Sequence, residues 1–297
     1  MKYLLLASVL TMVTPRAIAQ QDPLYSQYFN NPMLINPAFA GSNERLYAGL
    51  AYRTQWTGIE GGPATFNFNS HIALMNNRVG AGLIAVQDKL GDVTNTQYGG
   101  VFSYRIKLAH STVSFGMQTS FMRYSSNLEG IRVFNADPLF APFSETKFNT
   151  GAGILVKGER YSVGLSVPQL LENSVSQGGQ TIQIYGQNLY VFGAYDMYIN
   201  EDVQFKPSVL LRATKGSSVS ADLNFNFAFK QLYTAGLFTR NLNTFGVLLQ
   251  AAVKNYRFGY VFELPGKKSA LNFNTHEISL ALSLNVLRTH NQINTGF

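Results

Sequence analysis

The stretch EISLALSLNV, Glu277 to Val286, alternates without a break. Glu277, Ser279, Ala281, Ser283 and Asn285 fall on one face, and Ile278, Leu280, Leu282, Leu284 and Val286 on the other. A period of two is a strand, and a strand with one apolar and one polar face separates two solvents. The pattern recurs at Phe102, Tyr104, Ile106 and Leu108 against Ser103, Arg105 and Lys107. It returns at Leu223, Phe225, Phe227 and Phe229 against Asp222, Asn224, Asn226 and Lys230. Tyr256, Phe258, Tyr260 and Phe262 likewise alternate with Asn255, Arg257, Gly259 and Glu263.

Composition says which solvents. Charged residues make up 13% of the 297, with 22 Phe and 16 Tyr, and that charge is about half the usual share for a soluble domain. After residue 19 no run of 18 apolar residues occurs, so no spanning helix is available. A low-charge, aromatic-rich chain of alternating strands is predicted to be a transmembrane β-barrel of the outer-membrane type. A secreted β-sandwich is the soluble alternative, but it would not need so many outward aromatic positions.

Strands are predicted at 45–56, 64–74, 78–89, 95–108, 111–125, 147–158, 160–168, 187–199, 203–214, 217–229, 231–241, 243–253, 255–263 and 274–287. That is about 14 antiparallel strands, with 12 to 16 allowed because 78–89 and 231–241 alternate poorly. The long links are 126–146 and 169–186, and many of the others are tight.

The chain opens with Met1-Lys2, an apolar run to Val13 and Ala17-Ile18-Ala19. This reads as a secretory signal peptide over 1–19. Without Lys2 and Arg16 the 23 basic residues fall to 21 against 16 acidic, a net charge of +5. No long run of like charge, of the five or six residues that would matter, exists, so nucleic acid is not implied. The absence of cysteine excludes disulfides, thiolate chemistry and lipoprotein acylation.

Residues 20–43 form a separate segment before the barrel, 44–297. Asn31-Pro32 and Asn36-Pro37 predict a kinked, extended strap. Its Tyr25, Tyr28, Phe29, Met33, Leu34, Ile35 and Phe39 call for burial. The strap therefore plugs the lumen, covers the periplasmic mouth, or docks on a partner. Asn31, Pro32, Asn36, Pro37 and Phe39 are its candidate site residues.

Neither a G-x-S-x-G nor an H-E-x-x-H motif occurs. Asp88, Asp92 and Asp137 lack calcium-loop spacing. The reading is non-enzymatic, with no cofactor and no metal. Alternation places Arg53 and Gln55 beside Asn67, Asn69 and His71 on the luminal face, as a hydrogen-bonded network that fixes the wall or holds the strap. Trp56 falls where an interfacial aromatic belt would sit.

Asp22-Pro23-Leu24-Tyr25-Ser26-Gln27-Tyr28, Asn36-Pro37-Ala38-Phe39-Ala40-Gly41-Ser42, Arg53-Thr54-Gln55-Trp56-Thr57-Gly58 and Gly62-Pro63-Ala64-Thr65 keep an order and spacing that resemble the PorP/SprF-like family of Bacteroidetes outer-membrane proteins. Gly164 to Leu171 and His276 to Leu280 extend the likeness. The resemblance implies an outer-membrane barrel of the type IX secretion and gliding machinery, needed to export or anchor a large adhesin. It implies recognition of the adhesin's C-terminal domain of the type B class, and a periplasmic peptidoglycan-binding partner for some members. Asp137, Pro138, Phe140 and Phe143 in the first long loop are then the candidate partner-binding residues, because aromatics beside turn formers make rigid anchors. The alternative function is a passive or hydrophobic-solute channel.

Overall fold

The computed structural model describes residue 28 and residues 31–127, 141–177, 180–215, 217–266 and 273–286. Residues 1–19, read above as a signal peptide, the rest of 20–30, Asp137, Pro138 and Phe140 lie outside the described residues.

The strands are β1 (Leu46–Thr54), β2 (Ala64–Leu74), β3 (Val79–Leu90), β4 (Val93–Lys107), β5 (Ser111–Ser126), β6 (Phe143–Gly158) and β7 (Tyr161–Val167), followed by a short hairpin of β8 (Asn173–Gln177) and β9 (Gln180–Tyr185). The wall resumes with β10 (Asn188–Tyr195), β11 (Met197–Tyr198), β12 (Val203–Thr214), β13 (Ser220–Phe229), β14 (Tyr233–Arg240), β15 (Thr244–Val253), β16 (Tyr256–Glu263) and β17 (Thr275–Leu284). Every pairing is antiparallel, and along the wall each strand pairs with the next, β7 with β10 and β10 with β12, until β17 pairs with β1, from Leu46 opposite Leu284 to Thr54 opposite His276. β11 prolongs β10 along β12, and the β8–β9 hairpin is a separate two-stranded sheet. The result is a closed barrel of 14 strands, as the alternation predicts. Closure gives every strand two partners, and this is what lets a sheet sit in lipid.

The faces follow the sequence. Glu277 is 2% exposed and its neighbour Ile278 60%. Tyr52, Phe66, Phe102, Phe121, Phe227 and Phe258 point outward, while Arg53, Asn67, Ser103, Ser120, Asn226 and Val261 point inward. The links after β2, β4, β6, β11, β13 and β15 are all short and lie at one end. Barrels of this type keep short turns in the periplasm, which orients the molecule. The links after β1, β3, β5, β7, β12, β14 and β16 lie at the outer end, the long ones among them.

Two expectations change here. The link 126–146 shrinks, because β6 already begins at Phe143 and pairs with β5 up to Ser126. Ser144, Glu145, Thr146 and Lys147 are all polar, so no alternation marks them as strand. The link 169–186 holds the β8–β9 hairpin.

Candidate functional site

The strap enters from the short-turn end and fills the lower and middle lumen. It is not extended as predicted. Pro32–Leu34 and Pro37–Phe39 each form one turn of 3-10 helix. A proline at the first helical position has its φ already set, and the extended asparagine before it is a helix cap. Asn36 is such a cap: its Oδ1 accepts from Ala38 N at 2.9 Å. Its Nδ2 donates to the wall, to Ile154 O at 3.0 Å and Leu165 O at 3.4 Å.

The strap supplies the apolar core of the barrel. Tyr28, Met33, Ile35, Ala38, Phe39 and Ala40 cluster with Ile84, Val101, Leu155, Phe192 and Leu210 of the wall. The Phe39 and Phe192 rings meet edge to face at 5.5 Å. Met33 and Ile35 are fully buried, each contributing roughly 1.5–3 kcal/mol. The wall makes room for this backbone. A Cβ on Gly116 would overlap the Ala38 amide, and one on Gly80 the Ala40 carbonyl. Gly41 has φ +69, and its own Cβ would meet Gly80.

Polar bonds fix the register of strap on wall. Ser166 Oγ donates to Ile35 O at 2.6 Å, Ser103 Oγ to Ala40 O at 2.8 Å, and Arg105 Nη1 to Gly41 O at 2.6 Å. Tyr47 Oη donates to Asn31 Oδ1 at 2.6 Å, and Asn224 Nδ2 to Tyr28 Oη at 2.7 Å. Pro32 is half-buried; Asn31, Asn36, Pro37 and Phe39 are buried. Asn36→Ala removes a cap and two wall bonds at a site 1% exposed. It is expected to cost about 1–3 kcal/mol, read as an earlier loss of heat-modifiable gel mobility on warming.

Arg53, Asn67, Asn69 and His71 are all luminal and buried, on the paired strands β1 and β2. His71 and Arg53 turn to different partners. His71 Nδ1 accepts from Gly41 N at 3.2 Å, and its ring stacks on Tyr47, centroids 5.1 Å apart. His71 is thus a strap holder. Gln55 lies beyond the end of β1, half-exposed, with its backbone N–H on Pro63 O at 2.8 Å. Arg53 turns the other way. Its Nη1 and Nη2 fork onto Glu263 at 2.8 and 2.9 Å, and Nη1 lies 3.4 Å from Glu277. Glu263 is 4.0 Å from Arg240, which forks onto Asp222 at 2.9–3.0 Å. All five are under 10% exposed. Alternation already put Asp222, Glu263 and Glu277 on the inner face. Asp222 meets Arg240 on the neighbouring strand β14, whereas Glu263 and Glu277 meet Arg53 only when β17 closes on β1.

The outer mouth is covered from one side. After Pro168, which has no N–H to continue β7, the chain turns into the lumen. Gln118 Nε2 donates to Pro168 O at 2.7 Å, and Leu170 N to Thr150 O at 2.7 Å. Asn149 and Leu171 exchange two bonds, at 2.8 and 3.2 Å. Val175 of the hairpin packs on Met122, Tyr124 and Phe143. Phe143 is therefore no loop tip: it opens β6, its ring 6.1 Å from Tyr124.

A closed barrel with aromatic rows facing outward and its own N-terminal strap in the lumen defines an outer-membrane type barrel with a filled interior. The chain belongs to the family of type IX secretion system membrane proteins PorP/SprF, whose sequence profile matches residues 17–282. Among solved structures it is similar to the CymD monoaromatic hydrocarbon channel, at 11% identity and TM-score 0.52 over 88% of this chain and 94% of that one. It is similar to the deltaS2 mutant of the TodX monoaromatic hydrocarbon channel, at 10% and 0.51 over 88% and 95%. A Pseudomonas aeruginosa FadL homologue gives 10% and 0.50 over 84% and 92%. At these identities the likeness is one of fold alone. Comparison with curated proteins gives no match.

Proposed function

We propose that this barrel anchors, or helps bring out, a secreted surface adhesin by receiving its C-terminal domain at the outer mouth. In this reading it works as a closed, non-enzymatic scaffold. The observation that carries the proposal is the filling of the lumen, by the strap from below and by Pro168–Asn173 from above. A plug bonded to the wall on several sides gives a docking platform rigidity. The family membership supplies the secretion context. The β8–β9 hairpin and the projecting ends of β4, β5 and β6 are the natural contact, with Asp137, Pro138 and Phe140 in the adjoining link. Phe143 acts by supporting the hairpin. A periplasmic peptidoglycan-binding partner fits the same scaffold from below.

The alternative, a hydrophobic-solute channel, leans on the two hydrocarbon channels of similar fold. One experiment separates the two. The hairpin 173–185 is replaced by a short Gly-Ser link in cells, and adhesin is measured on the surface and in the medium. The expected result is co-purification of adhesin with the intact barrel and its loss to the medium with the variant, while heat-modifiable mobility is kept. Normal retention by the variant removes the hairpin as the contact. An intact barrel that captures no secreted chain, yet speeds entry of small aromatic hydrocarbons, replaces the scaffold with the channel.

A further inference from the structure

Below the strap, at the short-turn end, the mouth opens into a cavity of about 800 Å3. Its lining carries Arg45, Arg105, Lys107, Lys157, Lys254 and Arg257 against only two carboxylates, Glu44 and Glu159. Arg105 is engaged, with Glu44 at 3.7 Å and the Gly41 carbonyl. Lys157 Nζ donates to Ser42 O at 3.3 Å. Arg45, Lys107, Lys254 and Arg257 make no ion pair among the described residues. Like charges gathered in a concave, low-dielectric mouth reinforce one another's field and draw in anions.

The placement of the charges selects the kind of anion. Lys107 and Lys157 belong to β4 and β6, while Lys254 and Arg257 flank the β15–β16 turn. In a ring of 14 strands, β5 and β15 stand half a circumference apart. The cations therefore face one another across the mouth. A single phosphate reaches one wall; an extended segment with several carboxylates reaches both. The floor is the strap, at Ser42 to Arg45, so whatever enters is held and not passed on. Lipid headgroups meet the outer face of the barrel, not this inner lining.

We infer that the periplasmic vestibule is a docking site for an acidic peptide segment of a periplasmic protein. This goes beyond the adhesin reading and stands or falls separately, because the two sites are at opposite ends. It also touches the strap: Arg105 and Lys157 hold the carbonyls of Gly41 and Ser42, so a carboxylate that engages them competes with the plug for its own donors.

The test uses the purified full chain in neutral detergent and a fluorescein-labelled peptide of alternating Asp and Glu, with a Lys-rich peptide as control. Anisotropy is expected to show saturable binding of the acidic peptide alone, weakened by added salt. Lys254→Glu with Arg257→Glu, and separately Lys107→Glu on the facing wall, should each weaken it at least about tenfold. None of these residues holds the strap, and heat-modifiable mobility checks their folding. Binding unchanged in both variants overturns the proposal. So does full displacement by millimolar inorganic phosphate, which would make this a small-anion site. Equal binding of the Lys-rich peptide overturns it as well.

Discussion

Planar bilayers holding the intact chain are expected to stay nearly silent, and deletion of Asn31 to Ser42 to open steady conductance. A ring of 14 strands is wider than the eight-stranded barrels whose interiors side chains alone can fill. Here the space is taken up by Tyr28, Met33, Ile35, Phe39 and the backbone between them, bonded to strands from β1 round to β13. The cover at the outer end does not replace it. Pro168, Leu170 and Leu171 bond to Gln118, Asn149 and Thr150, all on the neighbouring strands β5 and β6. The strap is therefore the main obstruction, and its loss should raise conductance at least about tenfold in a barrel of this width. Gly116→Leu attacks the same contact from the wall. Its side chain would occupy the Ala38 backbone, so the strap must leave or shift, and conductance should rise with the strap sequence untouched. Large, steady conductance from the intact chain would sink the plug.

The two halves of this structure were unequally legible in the sequence. The wall was open to reading because each residue there obeys one local rule, out to lipid or in to the lumen. Glu277 and Ile278 behave as their alternation demands. Val79–Leu90 alternates weakly for a reason that lies outside the strand: Gly80 and Gly82 give clearance to Ala40 and Met33. The period is lost where the wall accommodates the plug. The strap was legible as a buried, proline-set segment, but its second 3-10 turn is tied to the wall by Asn36, which bonds Ile154 and Leu165 more than a hundred residues later. The ion cluster was hidden for a similar reason. Nothing near Arg53 in the sequence announces Glu263, and only barrel closure brings them together.

Arg53→Met should be the most damaging single substitution in the wall, at about 3–5 kcal/mol. The cluster holds two guanidiniums, Arg53 and Arg240, against three carboxylates, Asp222, Glu263 and Glu277. Removing Arg53 leaves three buried anions facing one cation. Glu263 loses a fork at 2.8 and 2.9 Å, with Arg240 farther off at 4.0 Å. Arg53→Lys should recover part of the loss, because one ammonium cannot fork onto Glu263 and reach Glu277 at the same time. The informative variant is Arg53→Met with Glu263→Met. It takes out one charge of each sign and restores the original excess of a single anion, now with Asp222 still forked by Arg240. Its loss should fall short of the sum of the two single losses by about 0.5–3 kcal/mol, the range for groups in direct contact. Urea unfolding of the four chains in lipid vesicles, followed by gel mobility, measures each step. If Arg53→Met unfolds at the same urea concentration as the parent, the cluster contributes nothing to stability. If the double variant loses the full sum, Arg53 and Glu263 act independently despite their contact.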